Sequence, residues 1–315
     1  ALGDEEIAKT REALGWQHEP FVIPDSIYQF WNATEEGIEK NKNWDSVMQS
    51  LNESSPEKHQ ELSRRIAGDE PEDFSNKYND FLQQCDAENK SMATRKASQV
   101  CLDFFVKEMP ELLGGSADLT PSNNTFSKAS STFFNDNPSG NHINYGVREF
   151  GMSAIMNGMV LHGGVKPYGA TFLVFTDYAR NAVRLSALMG QPNIFVYTHH
   201  TIALGEDGPT HQPVEQLVTL RSTPNLNNWR PADLVETAVA WENAATSKTT
   251  PTCLIFSRQG TSAITRDQDQ IESISNGGYL LESNSQAQLT LVASGSEVQM
   301  MLDAAIQLKE LGIIA

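Results

Sequence analysis

Buried-strand character is strongest in Asn193-Ile194-Phe195-Val196-Tyr197-Thr198, which is soon followed by a loop, Gly205-Glu206-Asp207-Gly208-Pro209-Thr210-His211-Gln212-Pro213. Proline removes a backbone donor and glycine tolerates positive φ, so this loop cannot be a regular helix or a central strand. It presents Asp207 and His211 between the strand and the helical segment Val214–Thr219, where α/β enzymes often carry their chemistry. A surface loop with solubilising acids is the alternative.

On both sides of this stretch, from about residue 91, strands alternate with helices. We predict strands at Asn141–Tyr145, Asn193–Thr198, Asn225–Trp229 and Thr252–Ser257. We predict helices at Thr94–Lys107, Phe150–His162, Phe172–Met189 and Ala232–Thr246. Strands separated by helices of this length imply a parallel sheet covered on both faces. The sequence therefore predicts an α/β, parallel-sheet fold.

Residues 1–90 are more polar and rich in helical patterns. Apolar residues recur there at helical spacing, as in Ile27, Phe30 and Trp31. We predict short helices that bridge over a surface, with a linker within residues 68–90. A disordered tail is the alternative, and the aromatic content of this segment argues against it.

A second βα unit follows Gly277-Gly278. It contains a predicted strand at Leu289–Ala293 and a predicted helix at Glu297–Leu311. This pattern is typical of the start of a further α/β domain. The chain begins with Ala rather than Met and stops after this helix, so we expect it to be a piece of something longer.

The overall charge of the chain is strongly acidic. Its 315 residues include 40 acidic and 23 basic side chains, which gives a formal net charge of -17. A nucleic-acid partner or an anionic membrane surface is therefore not predicted. No run of about 18 apolar residues occurs, so no membrane span is predicted either. A phosphate-bearing ligand would have to be held by a few well-placed bases.

One carboxylate stands where a predicted strand passes into a helix. Glu149 follows Gly146-Val147-Arg148 and precedes Phe150. Burial of a carboxyl group favours its protonated form, which suits it to share a proton with a ligand nitrogen. A helix N-terminal acid, stabilised by the helix macrodipole, is the alternative.

Three aromatic residues are spaced as on one broad helical face. They are Phe172, Phe175 and Tyr178. Such a stripe usually packs into a core. The functional alternative is an aromatic wall for a flat heterocycle.

Histidines and acids are concentrated around the loop. His199, His200 and His211 lie near Glu206 and Asp207. Their spacing matches no common ligand pattern, so the sequence predicts no metal site here. Imidazoles that hydrogen-bond a polyhydroxylated substrate fit the pattern better.

Two arginines and a serine are candidates for binding phosphate. Arg95 and Arg258 begin or end predicted elements, and Ser122 follows a Gly114-Gly115 turn. Together they could bind a phosphate by charge-assisted hydrogen bonds. Separately, each is compatible with a solvated charge or a cap. No P-loop and no GxGxxG occurs, so those kinds of nucleotide binding are not predicted.

A series of motifs resembles one enzyme family. In chain order they are Ala93-Thr94-Arg95-Lys96, Gly114-Gly115-Ser116-Ala117-Asp118-Leu119-Thr120-Pro121-Ser122-Asn123, Tyr145-Gly146-Val147-Arg148-Glu149-Phe150-Gly151-Met152, Lys166-Pro167-Tyr168-Gly169, the Gly205–Pro213 loop, Trp229-Arg230-Pro231-Ala232-Asp233, Ser257-Arg258-Gln259 and Ala293-Ser294-Gly295-Ser296-Glu297-Val298. Together they resemble transketolase, the thiamine-diphosphate enzyme of two-carbon ketol transfer. The resemblance covers essentially the whole chain.

The resemblance implies a thiamine-diphosphate-binding fold of the pyrimidine-domain type. Residues 1–90 would be the end of the diphosphate-binding domain with a helical linker, 91–262 the pyrimidine-binding domain, and 263–315 the incomplete start of a C-terminal domain. The implied cofactors are thiamine diphosphate and Mg²⁺, with the metal ligands in an N-terminal part that this chain lacks. The implied partner is a second copy, in a homodimer with the site at the subunit interface.

The resemblance also implies roles for residues that bind the cofactor. Glu149 would contact the pyrimidine ring nitrogen N1′ and promote the imino tautomer, and so is implied to be catalytic. The pyrimidine pocket would be formed by Phe172, Phe175 and Tyr178. The cofactor itself carries the difficult chemistry.

Roles toward a sugar-phosphate substrate follow from the same resemblance. Asp207 and His211 would face the sugar hydroxyls, and His211 would also move protons during cleavage of the carbon–carbon bond. The sugar phosphate would be held by Arg95, Ser122, His199 and Arg258. The implied reaction moves a ketol unit from xylulose 5-phosphate to ribose 5-phosphate or erythrose 4-phosphate, in the pentose phosphate pathway or the Calvin cycle.

The chain departs from the family pattern in two respects, and two alternative functions remain open. His200 stands where the family usually has an aspartate, which puts the fine geometry of the hydroxyl-binding loop in doubt. The missing N-terminal part predicts that this chain is inactive alone, which a turnover assay on the 315-residue chain tests. A deoxyxylulose-phosphate-synthase-like enzyme and a non-catalytic assembly subunit are the alternatives. Sugar-phosphate metabolism is compatible with the cytoplasm or the plastid stroma.

Overall fold

The computed structural model describes residues 2–315. The chain forms two compact units, the first ending at Glu61 and the second covering Leu62–Ala315. Within the described residues, no helix is long and apolar enough to cross a membrane.

The first unit is helical. It contains α1 (Asp4–Ala13), α2 (Asp25–Trp31) and α3 (Thr34–Ser54), and α4 (Pro56–Ala67) follows directly along the chain. The predicted short helices are therefore confirmed. None of the residues of these four helices is buried. Phe30 and Trp31 in particular remain exposed, so the apolar spacing found in the sequence does not mark a closed core here.

The second unit is built on a parallel sheet. Its strands are β1 (Met92–Ala93), β2 (Leu112–Ser116), β3 (His142–Asn144), β4 (Lys166–Phe172), β5 (Ile194–Thr198), β6 (Asn227–Trp229), β7 (Thr252–Ile255) and β8 (Gly260–Thr261). Six of them form one sheet in the order β3-β2-β4-β5-β7-β6, and every neighbouring pair is parallel. The predicted parallel sheet is confirmed.

A small antiparallel ribbon joins the segment before the large sheet to the segment after it. β1 pairs with β8, with Met92 opposite Thr261 and Ala93 opposite Gly260. Beside it, the Ser257 N–H donates to Thr94 Oγ1 at 2.7 Å, and the Thr94 N–H donates to Ser257 Oγ at 3.0 Å. Both ends of the segment that holds the large sheet are thus fixed to each other.

Helices connect the strands and cover both faces of the sheet. They are α5 (Phe74–Glu88), α6 (Thr94–Glu108), α7 (Thr120–Asn123), α8 (Glu149–His162), α9 (Thr176–Leu188), α10 (Gln216–Arg221), α11 (Leu234–Thr246), α12 (Gln268–Ser273) and α13 (Glu297–Glu310). One core joins α5, α6 and α11 to the sheet and includes Phe105 and Trp241. The other lies under α8 and α9 and includes Met152 and Phe195.

Alternation along β5 shows why the central strands are apolar throughout. Ile194 and Val196 belong to the first core, whereas Phe195 and Tyr197 belong to the second. Successive side chains of a strand point to opposite faces, so a strand covered on both sides needs apolar residues at every position. This explains why the stretch was recognisable in the sequence.

The predicted helix Phe172–Met189 begins too early. Phe172 ends β4, a 3₁₀ turn covers Leu173–Phe175, and α9 starts only at Thr176. The sequence analysis missed β4 because Pro167 and Gly169 interrupt its apolar pattern. Gly169 is nevertheless required, since a Cβ there would lie 2.4 Å from the Met156 sulfur.

Two further expectations differ from the structure. The predicted strand Leu289–Ala293 is wrong, because this segment is irregular and has no neighbouring strand among residues 2–315 with which to form a ladder. Part of the predicted linker within residues 68–90 forms α5 instead. Its Phe74 and Cys85 are buried in the first core, so the segment contributes to the folded unit.

A Gly114→Ala variant is expected to destabilise the second unit by about 1–3 kcal/mol, because an overpacked site forces the backbone apart. A Cβ at Gly114 would lie 1.9 Å from the Tyr168 carbonyl oxygen on the neighbouring strand. Urea unfolding measures the change. The matched control is Gly158→Ala on α8, where a Cβ meets nothing within 4 Å. The control should be neutral or stabilising. Equal stability of the two variants would contradict the close strand approach.

Candidate active site

The carboxyl ends of the parallel strands bring the candidate residues to one edge of the sheet. β4 ends at Phe172, and β5 ends at Thr198, directly before His199. Arg258 follows β7, and Glu149 follows β3 after a short turn. In open α/β sheets, ligands bind outside this edge. The topology therefore supports the site that the motifs suggested.

Three aromatic rings form a continuous surface, here called the aromatic wall. The rings of Phe172 and Phe175 are 5.8 Å apart and nearly parallel, and those of Phe175 and Tyr178 are 6.1 Å apart. The three residues come from a strand end, a 3₁₀ turn and a helix, so the predicted single helical face is wrong. Tyr178 is 68% exposed, so the wall has an open end that a flat ring could cover.

Two histidines flank the aromatic wall. The His199 ring stacks on Phe172, with 3.7 Å between the ring centroids. The His211 ring stands edge-on to Phe175 at 5.3 Å and to Phe172 at 6.0 Å. The loop around His211 and the end of β5 therefore meet at the same aromatic surface.

A hydrogen-bond chain fixes the orientation of His199. The Thr198 hydroxyl donates to Asn123 Oδ1 at 2.7 Å, and its oxygen lies 2.7 Å from His199 Nδ1. A hydroxyl has one proton to donate, so the network assigns the imidazole proton to Nδ1. His199 Nε2 then remains as an acceptor in the neutral ring. The roles of Thr198 and Asn123 in orienting His199 were not predicted from the sequence.

Two arginines lie close to His199. Burial, followed by the charges of Arg95 and Arg258, lowers the pKa of His199 to about 3. Burial and then Arg258 also lower the pKa of Arg95, while Asp207 raises it. These charges act on each other only because the folded chain brings the four side chains together. At neutral pH the histidine is neutral and the arginines supply the positive charge.

Each arginine is oriented by a partner. Arg95 Nη1 donates to the Ser122 carbonyl oxygen at 2.6 Å, so Arg95 and Ser122 lie together. Arg258 forms an ion pair with Glu206. The sequence analysis did not assign Glu206 as this partner, although it stands directly beside Asp207 in the loop. The two guanidinium groups and the two loop carboxylates make a compact charged group.

Glu149 occupies the first helical position of α8. Its side chain is 9% exposed, so the carboxylate is largely buried at the positive end of the helix. Both expectations for this residue, a helix N-terminal acid and a partly desolvated carboxylate, are therefore met at once. Glu149 takes no part in the ion pair between Arg258 and Glu206. It offers a separate acid on the same edge of the sheet.

His200 lies next to Arg230. It is buried, and its Nδ1 lies 3.4 Å from Arg230 Nη2. Burial, followed by the charge of Arg230, lowers the pKa of His200 to about 3. Within residues 2–315, no group of three or more His, Cys, Asp or Glu side chains is placed to hold a metal ion.

The stability of the fold is expected to fall at acid pH partly through His200. Its pKa is about 3 in the folded state and near 6.5 in the unfolded chain, so the unfolded state binds the proton first as the pH drops. This stabilisation is present above about pH 6.5 and is lost as the pH falls toward 3. His200→Asn should flatten the dependence of the unfolding free energy on pH by up to about 1.4 kcal/mol per pH unit. Urea unfolding at several pH values measures this slope.

The control for this titration is the exposed His162. A His162→Asn variant keeps the buried His200 ring. Its unfolding free energy should therefore depend on pH with the same slope as that of the parent chain. Equal slopes in the two variants would contradict a neutral His200 in the folded state.

Comparison with protein families identifies two matching models. Residues 90–262 match the transketolase pyrimidine-binding domain, and residues 1–71 match the transketolase thiamine-diphosphate-binding domain. Transketolase 2 of Vibrio parahaemolyticus is 51% identical over 308 residues, which are 98% of this chain and 46% of the relative. The chain spans about half the length of the curated relatives it matches.

Solved structures show the same similarity. A Pichia stipitis transketolase in complex with sedoheptulose-7-phosphate superimposes with a TM-score of 0.89 at 39% identity, covering 100% of this chain and 47% of that one. The Leishmania mexicana transketolase gives a TM-score of 0.84 at 36% identity, covering 98% and 45%. The first family model alone accounts for more than half of the residues. This chain belongs to the transketolase family.

Proposed function

We propose that this chain supplies the pyrimidine-binding side of a transketolase active site. The reaction is reversible transfer of a two-carbon ketol unit from a ketose phosphate, such as xylulose 5-phosphate, to an aldose phosphate, such as ribose 5-phosphate or erythrose 4-phosphate. One observation carries the proposal: an aromatic wall, two histidines and a pair of arginines meet at the carboxyl edge of the sheet. The Pichia stipitis relative in complex with a sugar phosphate supports it.

The described residues fit thiamine diphosphate on its pyrimidine side. The aromatic wall offers flat faces with an open end at Tyr178, and Glu149 offers a largely buried carboxylate at the same sheet edge. Phe172, Phe175, Tyr178 and Glu149 would hold the cofactor. When bound, it supplies the carbon nucleophile and electron sink that ketol transfer requires. No Mg²⁺ ligand is assigned within residues 2–315.

The protein side chains then bind, orient and move protons. Glu149 shares a proton with a ring nitrogen, and a buried carboxylate does this well because little water competes for it. His211 stands beside the aromatic wall and transfers protons at a substrate oxygen. Asp207, on the same loop, accepts hydrogen bonds from sugar hydroxyls.

The phosphate end of the substrate is held by the two arginines. Arg95 and Arg258 supply fixed positive charge, with Ser122 and His199 beside them. A neutral His199 with its proton on Nδ1 presents an acceptor to the site. Nε2 can accept a hydrogen bond from a substrate hydroxyl, whereas the two arginines supply the charge that holds the phosphate.

Domain roles and assembly belong to the same proposal. Residues 1–90 would be the end of the diphosphate-binding domain and linker, 91–262 the pyrimidine-binding domain, and 263–315 the start of a C-terminal domain. A homodimer would complete the site. The curated relatives come from Vibrio and Aliivibrio species, which are bacteria. We therefore propose that the protein acts in the cytoplasm rather than in a plastid, and that its pathway is the pentose phosphate pathway.

Product formation tests the function directly. The protein, expressed at the full length that its gene encodes, is incubated with thiamine diphosphate, Mg²⁺, xylulose 5-phosphate and ribose 5-phosphate. We expect sedoheptulose 7-phosphate, detected by mass spectrometry. Deoxyxylulose phosphate formed from pyruvate and glyceraldehyde 3-phosphate, without sedoheptulose 7-phosphate, would favour the synthase. Cofactor binding with neither product would favour an assembly subunit.

A further inference from the structure

The Arg258 guanidinium already has an anionic partner in the absence of substrate. It forms an ion pair with the Glu206 carboxylate, which belongs to the loop after β5. A hydrogen bond to its own backbone, and then the charge of Arg258, hold the pKa of Glu206 below its usual value, so the acid is ionised at neutral pH. Glu206 thus places an anion of the chain at the position proposed for a substrate phosphate.

This ion pair lies at the surface, unlike the Arg266 pair of the same unit. The Glu206 side chain is 73% exposed and that of Arg258 is 35% exposed. Arg266, by contrast, is completely buried with Asp233. Exposed pairs contribute little to stability, because water and salt compete for both charges. A competing anion can therefore displace Glu206 at small cost to the fold.

The backbone around Glu206 permits such a displacement. Gly205 and Gly208 enclose the two acids, with φ of +79° and +75°. A side chain added at either glycine would meet nothing within 4 Å, so the space around the turn is open. Glycine tolerates these conformations and their alternatives equally well. The carboxylate can move off Arg258 without a steric barrier from neighbouring atoms.

The remaining charges favour a doubly charged anion as the replacement. Arg95 and Arg258 lie close enough for each charge to act on His199, which is neutral at neutral pH. A phosphate monoester dianion brings two negative charges, whereas Glu206 brings one. A dianion gains attraction from both arginines, which a single carboxylate held on one arginine does not match.

We propose that Glu206 is an intramolecular competitor that pairs with Arg258 and must be displaced when a substrate phosphate binds. It weakens the binding of any anion at Arg258, and a dianion that also reaches Arg95 has the most attraction with which to displace it. The inference rests on the proposed function, in which Arg258 holds the sugar phosphate. It adds a residue that opposes substrate binding rather than one that assists it.

Binding of inorganic phosphate to the 315-residue chain tests the proposal without any turnover. Isothermal titration calorimetry at low ionic strength compares the parent with Glu206→Gln. The variant is expected to bind phosphate about two- to fivefold more tightly, the range that an exposed ion pair contributes. Glu215→Gln removes the same charge from an exposed position after the loop, and should leave the affinity close to that of the parent.

A double-mutant cycle shows whether Glu206 acts through Arg258. In an Arg258→Gln background, the Glu206→Gln change should no longer tighten binding. Phosphate binding that is equal in the parent and in Glu206→Gln would overturn the competitor role while leaving the phosphate site intact. An equal gain in the Glu215→Gln control would also overturn it, since the effect would then be a general change in charge. Absence of phosphate binding in every variant would overturn both this inference and the phosphate site of the proposed function.

Discussion

Replacement of Glu149 by Gln is expected to lower ketol-transfer turnover by about 10²–10⁴-fold, the range that a positioned proton-transfer group contributes. Glutamine keeps the shape of the side chain but has an NH2 group in place of one carboxylate oxygen and cannot ionise. Because Glu149 is 9% exposed at the start of α8, little water is present to take over its proton. Initial rates of sedoheptulose 7-phosphate formation, with saturating cofactor, measure the loss.

The control for this variant is Glu215→Gln, an identical chemical change at an exposed site. It should retain the rate of the parent. Circular dichroism and urea unfolding of both variants separate a lost proton site from a lost fold. A Glu149→Gln enzyme that keeps more than about a tenth of the parent rate falls outside the range for a proton-transfer residue and would refute the assignment.

The largest expected effect on stability comes from Arg266→Met. The Arg266 side chain is completely buried and contacts Asp233 Oδ2 at 2.7 Å and Glu236 Oε1 at 2.9 Å. The Tyr279 hydroxyl also donates to Glu236 Oε1 at 2.6 Å. Removal of the guanidinium leaves buried carboxylates without their counter-charge, which costs about 3–5 kcal/mol. Urea unfolding of the 315-residue chain measures the change.

An exposed ion pair provides the matched control. Lys248 Nζ lies 2.8 Å from Asp69 Oδ1, and both side chains are 59% exposed. Lys248→Met should therefore cost less than about 1 kcal/mol. If Arg266→Met destabilised the chain no more than Lys248→Met, the buried network would not hold the segment after β8 against α11.

Parts of the fold were predictable because one residue pattern dominated them. The Asn193–Thr198 strand is apolar on both faces, and that pattern survives without any knowledge of its neighbours. β4 was not predictable in the same way. Its Gly169 is set by the Met152 and Met156 side chains of α8, which lie across the sheet surface and not nearby in sequence. The low strand propensity of glycine therefore indicated an interruption at Gly169, where packing against α8 requires a glycine within β4.

The candidate site shows the same division. The motif resemblance supplied Arg95, Arg258, His199 and His211, and the structure brings all four to one edge of the sheet. The partners that orient them were not visible. Thr198 and Asn123 are 75 residues apart, and only the placement of α7 beside the sheet makes their hydrogen bond.

The ion pair between Glu206 and Arg258 likewise joins residues 52 positions apart. Such contacts depend on the order of the strands in the sheet, which cannot be read directly from the amino-acid sequence.

The ribbon formed by β1 and β8 brings together the two ends of the segment that holds the large sheet. The segment that holds the large sheet lies between Met92 and Thr261, and these two residues are paired neighbours in the ribbon. A folded segment whose two ends meet can be inserted into another chain, or circularly permuted, with little strain at the junction. Exchange of this segment between proteins would also have to include α5, because Phe74 and Cys85 are buried in the same core.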